Sequence, residues 1–174
     1  MTDLTHVRMF ARYAAWTNDV LYDSLREVPE RERIAPRPSV FGNIMRTLNH
    51  VYVIDLIWQA HLEGRPHGFT ARNTETHPPL AELHAAQKEL DQWYIRYADD
   101  ITKAAYGEIV NFTFVGGGAG SMSRGDILLH VVNHTTYHRG HITDMLMQIP
   151  FRPPATDLPV FLRDVPQTPG SNGA

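Results

Sequence analysis

Apolar residues recur three and four positions apart along four long stretches of this chain, a spacing that only α-helices turn into a continuous face. In the first stretch, Leu4, Val7, Ala11, Ala14, Leu21, Leu25 and Val28 keep the register, with Asn18 the one polar member. A helix over 4–27 follows, with Asp3 as its N-cap and Pro29 as its stop. Residues 31–38, with two prolines and four charges, read as a loop. Ser39 is then the expected cap of a helix over 40–63, striped by Phe41, Ile44, Leu48, Val51, Trp58 and Leu62 and ended by Gly64. Asp55 falls on that stripe, and the surrounding VYVIDLIW is apolar nearly all round, which makes this helix central.

Residues 64–78 lack periodicity and connect to a third helix that opens at Pro79, with Leu80, Leu83, Leu90, Tyr94, Tyr97 and Ile101 on its buried face. Beyond Lys103 the rhythm changes. The stretch 109–115, IVNFTFV, alternates and precedes GGGAG, so it is either an extended crossing segment or a small hairpin. The glycines lack the Gly-Lys-Ser/Thr ending of a phosphate loop and read as a flexible linker. A last helix starts at Ser123, with Asp126 at the capping-box position, and runs to about Gln148. In the proline-rich remainder, LPVFL at 158–162 is expected to fold back on the bundle, and 166–174 to be a disordered tail. The expected architecture is all-α, a four-helix bundle in one domain over 1–165.

A chain of 174 residues, 43% hydrophobic and 20% charged, has the composition of one globular domain. Its net charge of −3 provides no general attraction to phosphate backbones or anionic lipid, so neither nucleic acid nor membrane is an expected partner. Cysteine is absent, which excludes disulfides, thiolate metal sites and a cysteine nucleophile. The opening MTDLTHVRMF has no basic and apolar leader, and no stretch reaches the length of a membrane span, so a cytoplasmic protein is expected.

Ten histidines remain to be explained, and four of them, His130, His134, His138 and His141, crowd the last helix. Positions four apart lie one above another, so that face can offer two imidazoles to one ion. It cannot offer all four, because His130 and His138 are separated by about 12 Å at 1.5 Å per residue. Either i,i+4 pair would serve, and a third ligand must come from another helix. His50 qualifies, since a ring in the middle of the most apolar helix needs a partner. Two histidines plus His50 leave a coordination position open, as catalytic zinc sites do.

NHVYVIDLIW at 49–58 and HVVNHTTYHRGHI at 130–142 resemble the DinB/YfiT-like family of metal-binding four-helix proteins. YAAWTNDVLY at 13–22 is similar to that family's first helix, and DLPVFL at 157–162 to its closing segment. The resemblance implies a ligand triad of His50, His134 and His138, the last of these preceding Arg139 and Gly140. His141 stands where the family usually has glutamine, and either adds a fourth nitrogen or hydrogen-bonds nearby. His130 matches a position that is not a ligand and takes a structural role. Asp55 would either orient a ligand or pair with Arg139, and Tyr137 and Asn133 flank the site. His6, His61, His67, His77 and His84 are expected to be solvated.

An all-nitrogen ligand set fits a divalent ion such as zinc or nickel, with iron or manganese as further candidates. The resemblance implies a homodimer and a metal-dependent enzyme of the thiol-dependent transferase or hydrolase kind, using an activated water or low-molecular-weight thiol. The alternative is a non-catalytic metal- or ligand-binding protein of stress or damage response. The chain names no general base and shows no Glu-x-x-His pairs of a di-iron bundle.

Overall fold

The computed structural model describes residues 4–166, which form seven helices and one hairpin. In chain order these are α1 (Thr5–Arg26), α2 (Glu30–Ile34), α3 (Ile44–Glu63), α4 (Leu80–Asp100), α5 (Lys103–Tyr106), β1 (Ile109–Thr113), β2 (Ala119–Ser123), α6 (Arg124–Leu146) and α7 (Leu158–Asp164). The four long helices are those expected from the spacing, and the fold is all-α apart from the hairpin. Each long helix packs on two others in the cycle α1, α4, α3, α6. Consecutive α3 and α4 are therefore neighbours, whereas α1 to α3 and α4 to α6 connect across the bundle. The anticipated N-cap Asp3 and the tail from Gln167 onward lie outside the described residues.

The helix ends follow local chemistry. Residues 39–43 form a turn in which Gly42 takes φ +79° and its N–H donates to the Ser39 carbonyl, so Ser39 does not cap α3. Asn43 does, accepting from Arg46 N–H at 2.8 Å. Phe41 is consequently on a loop and not on the helix stripe. Gly64 closes α3 in the left-handed conformation, as expected of it. The charged stretch expected as loop starts with the single-turn α2, for which Pro29 is the N-cap.

Between α5 and α6 the chain forms the hairpin and not an extended crossing. β1 and β2 pair antiparallel with Phe112 opposite Gly120, and Gly117 and Gly118 turn the chain with positive φ. The run GGGAG is thus a turn and the start of a strand rather than a flexible linker. Gly120 has a packing reason as well, since a Cβ there would stand 2.6 Å from the Phe112 ring. α6 opens with the Ser123–Asp126 capping box, and α7 folds back so that Phe161, 1% exposed, packs on Tyr13 and Trp16.

The core falls into two apolar clusters, one around Leu25, Ile44, Leu83 and Met145, the other around Trp58, Leu90, Phe112 and Ile127. A polar belt crosses the bundle elsewhere in the same interior. Asn18 of α1 donates to both Asp91 carboxylate oxygens at 3.0 and 3.1 Å. Gln87 Nε2 bridges Asp91 and Asp55 at 2.9 and 3.2 Å. Burial pushes Asp91 up to about 6, and burial plus the neighbouring Asp91 holds Asp55 well above the carboxylate range. Asp55 neither pairs with Arg139 nor hydrogen-bonds a histidine. Arg139 donates instead to Thr17 Oγ1 and Tyr13 Oη, each at 2.9 Å, because α1 is its facing helix.

These pairings make the outcome of Asp55→Asn readable. A neutral carboxyl is close in shape to an amide, and the wild type gives up stability as rising pH ionises the unfolded Asp55 first. The variant should be at least as stable as the wild type at pH 7, with a margin that grows as pH rises. Loss of a buried ion pair would instead cost about 3–5 kcal/mol in denaturant melts.

Candidate metal centre

α3 presents His50 in its second turn, and α6, packed beside it, presents His134 and His138 one turn apart. The three rings meet with centroids 5.1 Å (His50–His134), 4.7 Å (His50–His138) and 4.5 Å (His134–His138) apart. Each offers one ligand nitrogen, and the three nitrogens all lie within 4.8 Å of one another. His50 and His138 are buried, and His134 is half-buried.

The protonation states suit a cation. His50 Nδ1–H donates to the Arg72 carbonyl at 2.9 Å, which leaves the Nε2 lone pair of the neutral ring free. That Nε2 lies 3.2 Å from His134 Nε2. Two nitrogens bound tetrahedrally to zinc at about 2.05 Å would be about 3.3 Å apart, so this edge has the dimension the ion requires. Burial, reinforced by the other histidines, pushes His134 down to about 3 and His138 to about 4. His50 is lowered too, chiefly by burial. All three are neutral at pH 7, the form that ligates. His134 Nδ1 is buried without a partner among the described residues, and a ring kept there at that cost fits a site that uses its other nitrogen.

The residues around the triad differ from expectation in several places. His141 stands behind His138, with its Nδ1 3.3 Å from that ring's Nδ1, and does not join the three converging nitrogens. Of its two sequence readings, the nearby hydrogen-bonding partner is the one this placement fits. His130 packs edge-on against Trp58 and lies one ring beyond His134. Tyr137 is 60% exposed, with its ring against His138 and His141, and Asn133 faces solvent.

Several histidines expected in solvent are not there. His84 is 2% exposed, stacks on Tyr22 at 4.8 Å and bonds Asp19 at 2.8 Å and Arg26 at 3.0 Å. Its position was readable, since Leu80, His84, Gln87, Asp91 and Tyr94 are spaced as one helix face. His61 is half-buried against Trp58 and Phe112, His67 accepts from Phe69 N–H at 3.0 Å, and His77 is half-buried beside the Pro78 carbonyl. His6 is exposed, as expected.

The triad forms part of the wall of a cavity of about 610 Å³, whose other walls include Phe41, Ile54, Trp58, Phe112 and Phe114. Such a volume suits a small organic ligand. Phe41, stacked on His50 at 4.0 Å, and the Arg72 carbonyl were not found by sequence reasoning. The first was concealed by its place on the helical stripe. The second is a backbone group, for which side-chain identity carries no signal.

Fold and site together define a class: helical bundles that gather three neutral imidazoles from two helices on the wall of an apolar cavity. Within that class, the model of the DinB family matches residues 1–168, and the chain belongs to the DinB family. Protein DinB of Bacillus subtilis (strain 168) is a relative, 28% identical over 155 residues that span 86% of this chain and 90% of that protein.

Proposed function

We propose that this protein is a metal-dependent enzyme in which His50, His134 and His138 hold one divalent ion, zinc or nickel before iron or manganese. The observation that carries this reading is the set of three converging nitrogens, with no fourth histidine or carboxylate joining them among the described residues. When bound, such an ion lowers the pKa of a water or low-molecular-weight thiol and polarises a substrate oxygen. The chain's own residues keep the three rings neutral by burial and orient His50 through the Arg72 carbonyl. Phe41, Trp58 and Phe112 exclude water from one side of the triad.

Thiol-dependent transfer is the reaction we favour over hydrolysis, because the cavity is mainly apolar and no Asp or Glu lines it to act as a base for water. The same reading places the protein in the cytoplasm as a homodimer, without nucleic acid as partner. No described helix is long and apolar enough to cross a membrane. The exposed side of α6, with Leu129, Tyr137 and Met147 each more than half exposed, is the face we assign to self-association.

Cobalt-substituted protein tests the reaction class. Addition of cysteine or another low-molecular-weight thiol should produce a thiolate-to-cobalt charge-transfer band, and His138→Ala should abolish it. Stoichiometric cobalt with an unchanged spectrum would overturn thiol chemistry and leave the hydrolytic and the non-catalytic metal-binding readings.

A further inference from the structure

The cavity beside the triad contains one permanent charge. Of the side chains that line it, Arg72 alone is a cation at every pH of interest, and no Asp or Glu is among them. Its guanidinium makes no hydrogen bond or ion pair with the described residues, although most other arginines of the chain are bonded. Arg72 is nevertheless not on a loose segment. Its carbonyl accepts from His50 Nδ1–H at 2.9 Å, Asn73 donates to the Arg46 carbonyl at 2.7 Å, and Thr74 N–H donates to Asn49 Oδ1 at 3.0 Å. The chain from the Arg72 carbonyl to Thr74 is thus pinned to α3. From there the side chain reaches toward the hairpin turn, where Nη2 stands 3.9 Å from the place a Gly116 Cβ would occupy.

We infer that this cavity binds an organic anion with a ring-sized apolar body, its oxyanion held by Arg72 and its body packed against Trp58, Phe112 and Phe41. The inference rests on the proposed site for its location and adds the chemical class of what enters it. A guanidinium presents paired N–H donors that match a carboxylate, sulfonate or phosphate, and it is well suited to such contacts at an apolar edge. The aromatic walls supply area for a flat body, and a cation would meet Arg72 with no carboxylate to offset it.

The test is titration calorimetry of zinc-loaded and metal-free protein with 2-naphthoate and its neutral analogue 2-naphthamide, with zinc uptake measured in parallel. Wild type should prefer naphthoate by roughly tenfold, the size of one charge-assisted contact at a partly exposed site. Arg72→Met, which keeps the stem and the backbone carbonyl on His50, should lose that preference while still binding naphthamide, with its own zinc uptake measured beside the wild type's. Arg72→Lys should restore most of it. Equal binding of the two probes, or binding of neither, overturns the inference. So does a preference that survives in Arg72→Met and disappears with zinc, since the anion is then held by the ion. An Arg72-dependent preference without zinc uptake would fail the proposed function and leave this inference standing, and zinc uptake without the preference would do the reverse.

Discussion

His134→Ala should abolish stoichiometric metal uptake, with an affinity loss of about a hundredfold or more for zinc. His134 sits between the other two ligands, 3.2 Å from His50 by its Nε2 and 4.5 Å from His138 between ring centroids. The binding energy of a zinc site, divided among its ligands, amounts to about 3 kcal/mol each, and each 1.4 kcal/mol is a factor of ten. The fold should survive, because the ring is only half-buried and its Nδ1 already lacks a partner. Elemental analysis of tag-free protein reads the first result, and thermal melts with and without chelator read the second. Wild type saturated a thousandfold above its Kd should lose about 4 kcal/mol on chelation, and the variant nothing. His141→Ala is the companion measurement. It should keep its metal, because that ring contacts His138 from behind. A wild type that takes up neither zinc nor nickel would sink the triad, and loss of metal in His141→Ala would make the site a closed one.

His134→Ala should remove a pH-dependent share of stability from the metal-free protein between pH 6.5 and pH 4. The sign follows from the depressed histidines. In the unfolded chain His134 and His138 take protons near pH 6.5, whereas in the fold they do so only at about 3 and about 4. Through that window each of these rings binds more protons in the unfolded chain, so its contribution falls as pH falls, by about 1.4 kcal/mol per pH unit. His50, lowered by the same burial, acts in the same direction. Asp91 and Asp55, held protonated in the fold, contribute the opposite slope. Denaturant melts of metal-free wild type and His134→Ala at stepped pH measure that share, and the wild type should lose about 1.4 kcal/mol per pH unit relative to the variant as pH falls. A difference that stays constant from pH 6.5 to 4 would mean that His134 protonates in the folded state at its ordinary pH. The triad would then be solvated rather than held neutral for a metal.

Much of the fold was readable because helical periodicity is local. Leu21 and Leu25, Leu48 and Val51, and Leu80 and Leu83 lie in the core where spacing put them. The punctuation at Gly64, Pro79 and the Ser123–Asp126 box also acted as its local chemistry requires. Errors arose where a residue satisfied one local rule while a neighbour imposed a stronger one. Ser39 is a good cap, but Gly42 carries the chain into a turn and Asn43 starts the helix. His84 is a polar ring expected in solvent, yet it lies on the buried face because Asp19, Arg26 and Tyr22 of α1 provide its partners.

By itself the sequence determined four helices and a closing segment, since each depends on the spacing of residues within a short span. Spacing left either i,i+4 pair of the last helix to join His50, and the family resemblance chose His134 and His138. Only the tertiary structure decided which groups surround those histidines. The Arg72 carbonyl on His50, the Gln87 bridge between Asp55 and Asp91, and the hydroxyls around Arg139 all join residues of different helices or of a helix and a loop, apart from the close Gln87–Asp91 pair. The cavity likewise exists because the hairpin, α3 and α6 converge on one place. Periodicity reports which face of a helix is buried. What that face meets depends on the path of the whole chain, and so do the neutral state of the triad and the charge that stands beside it.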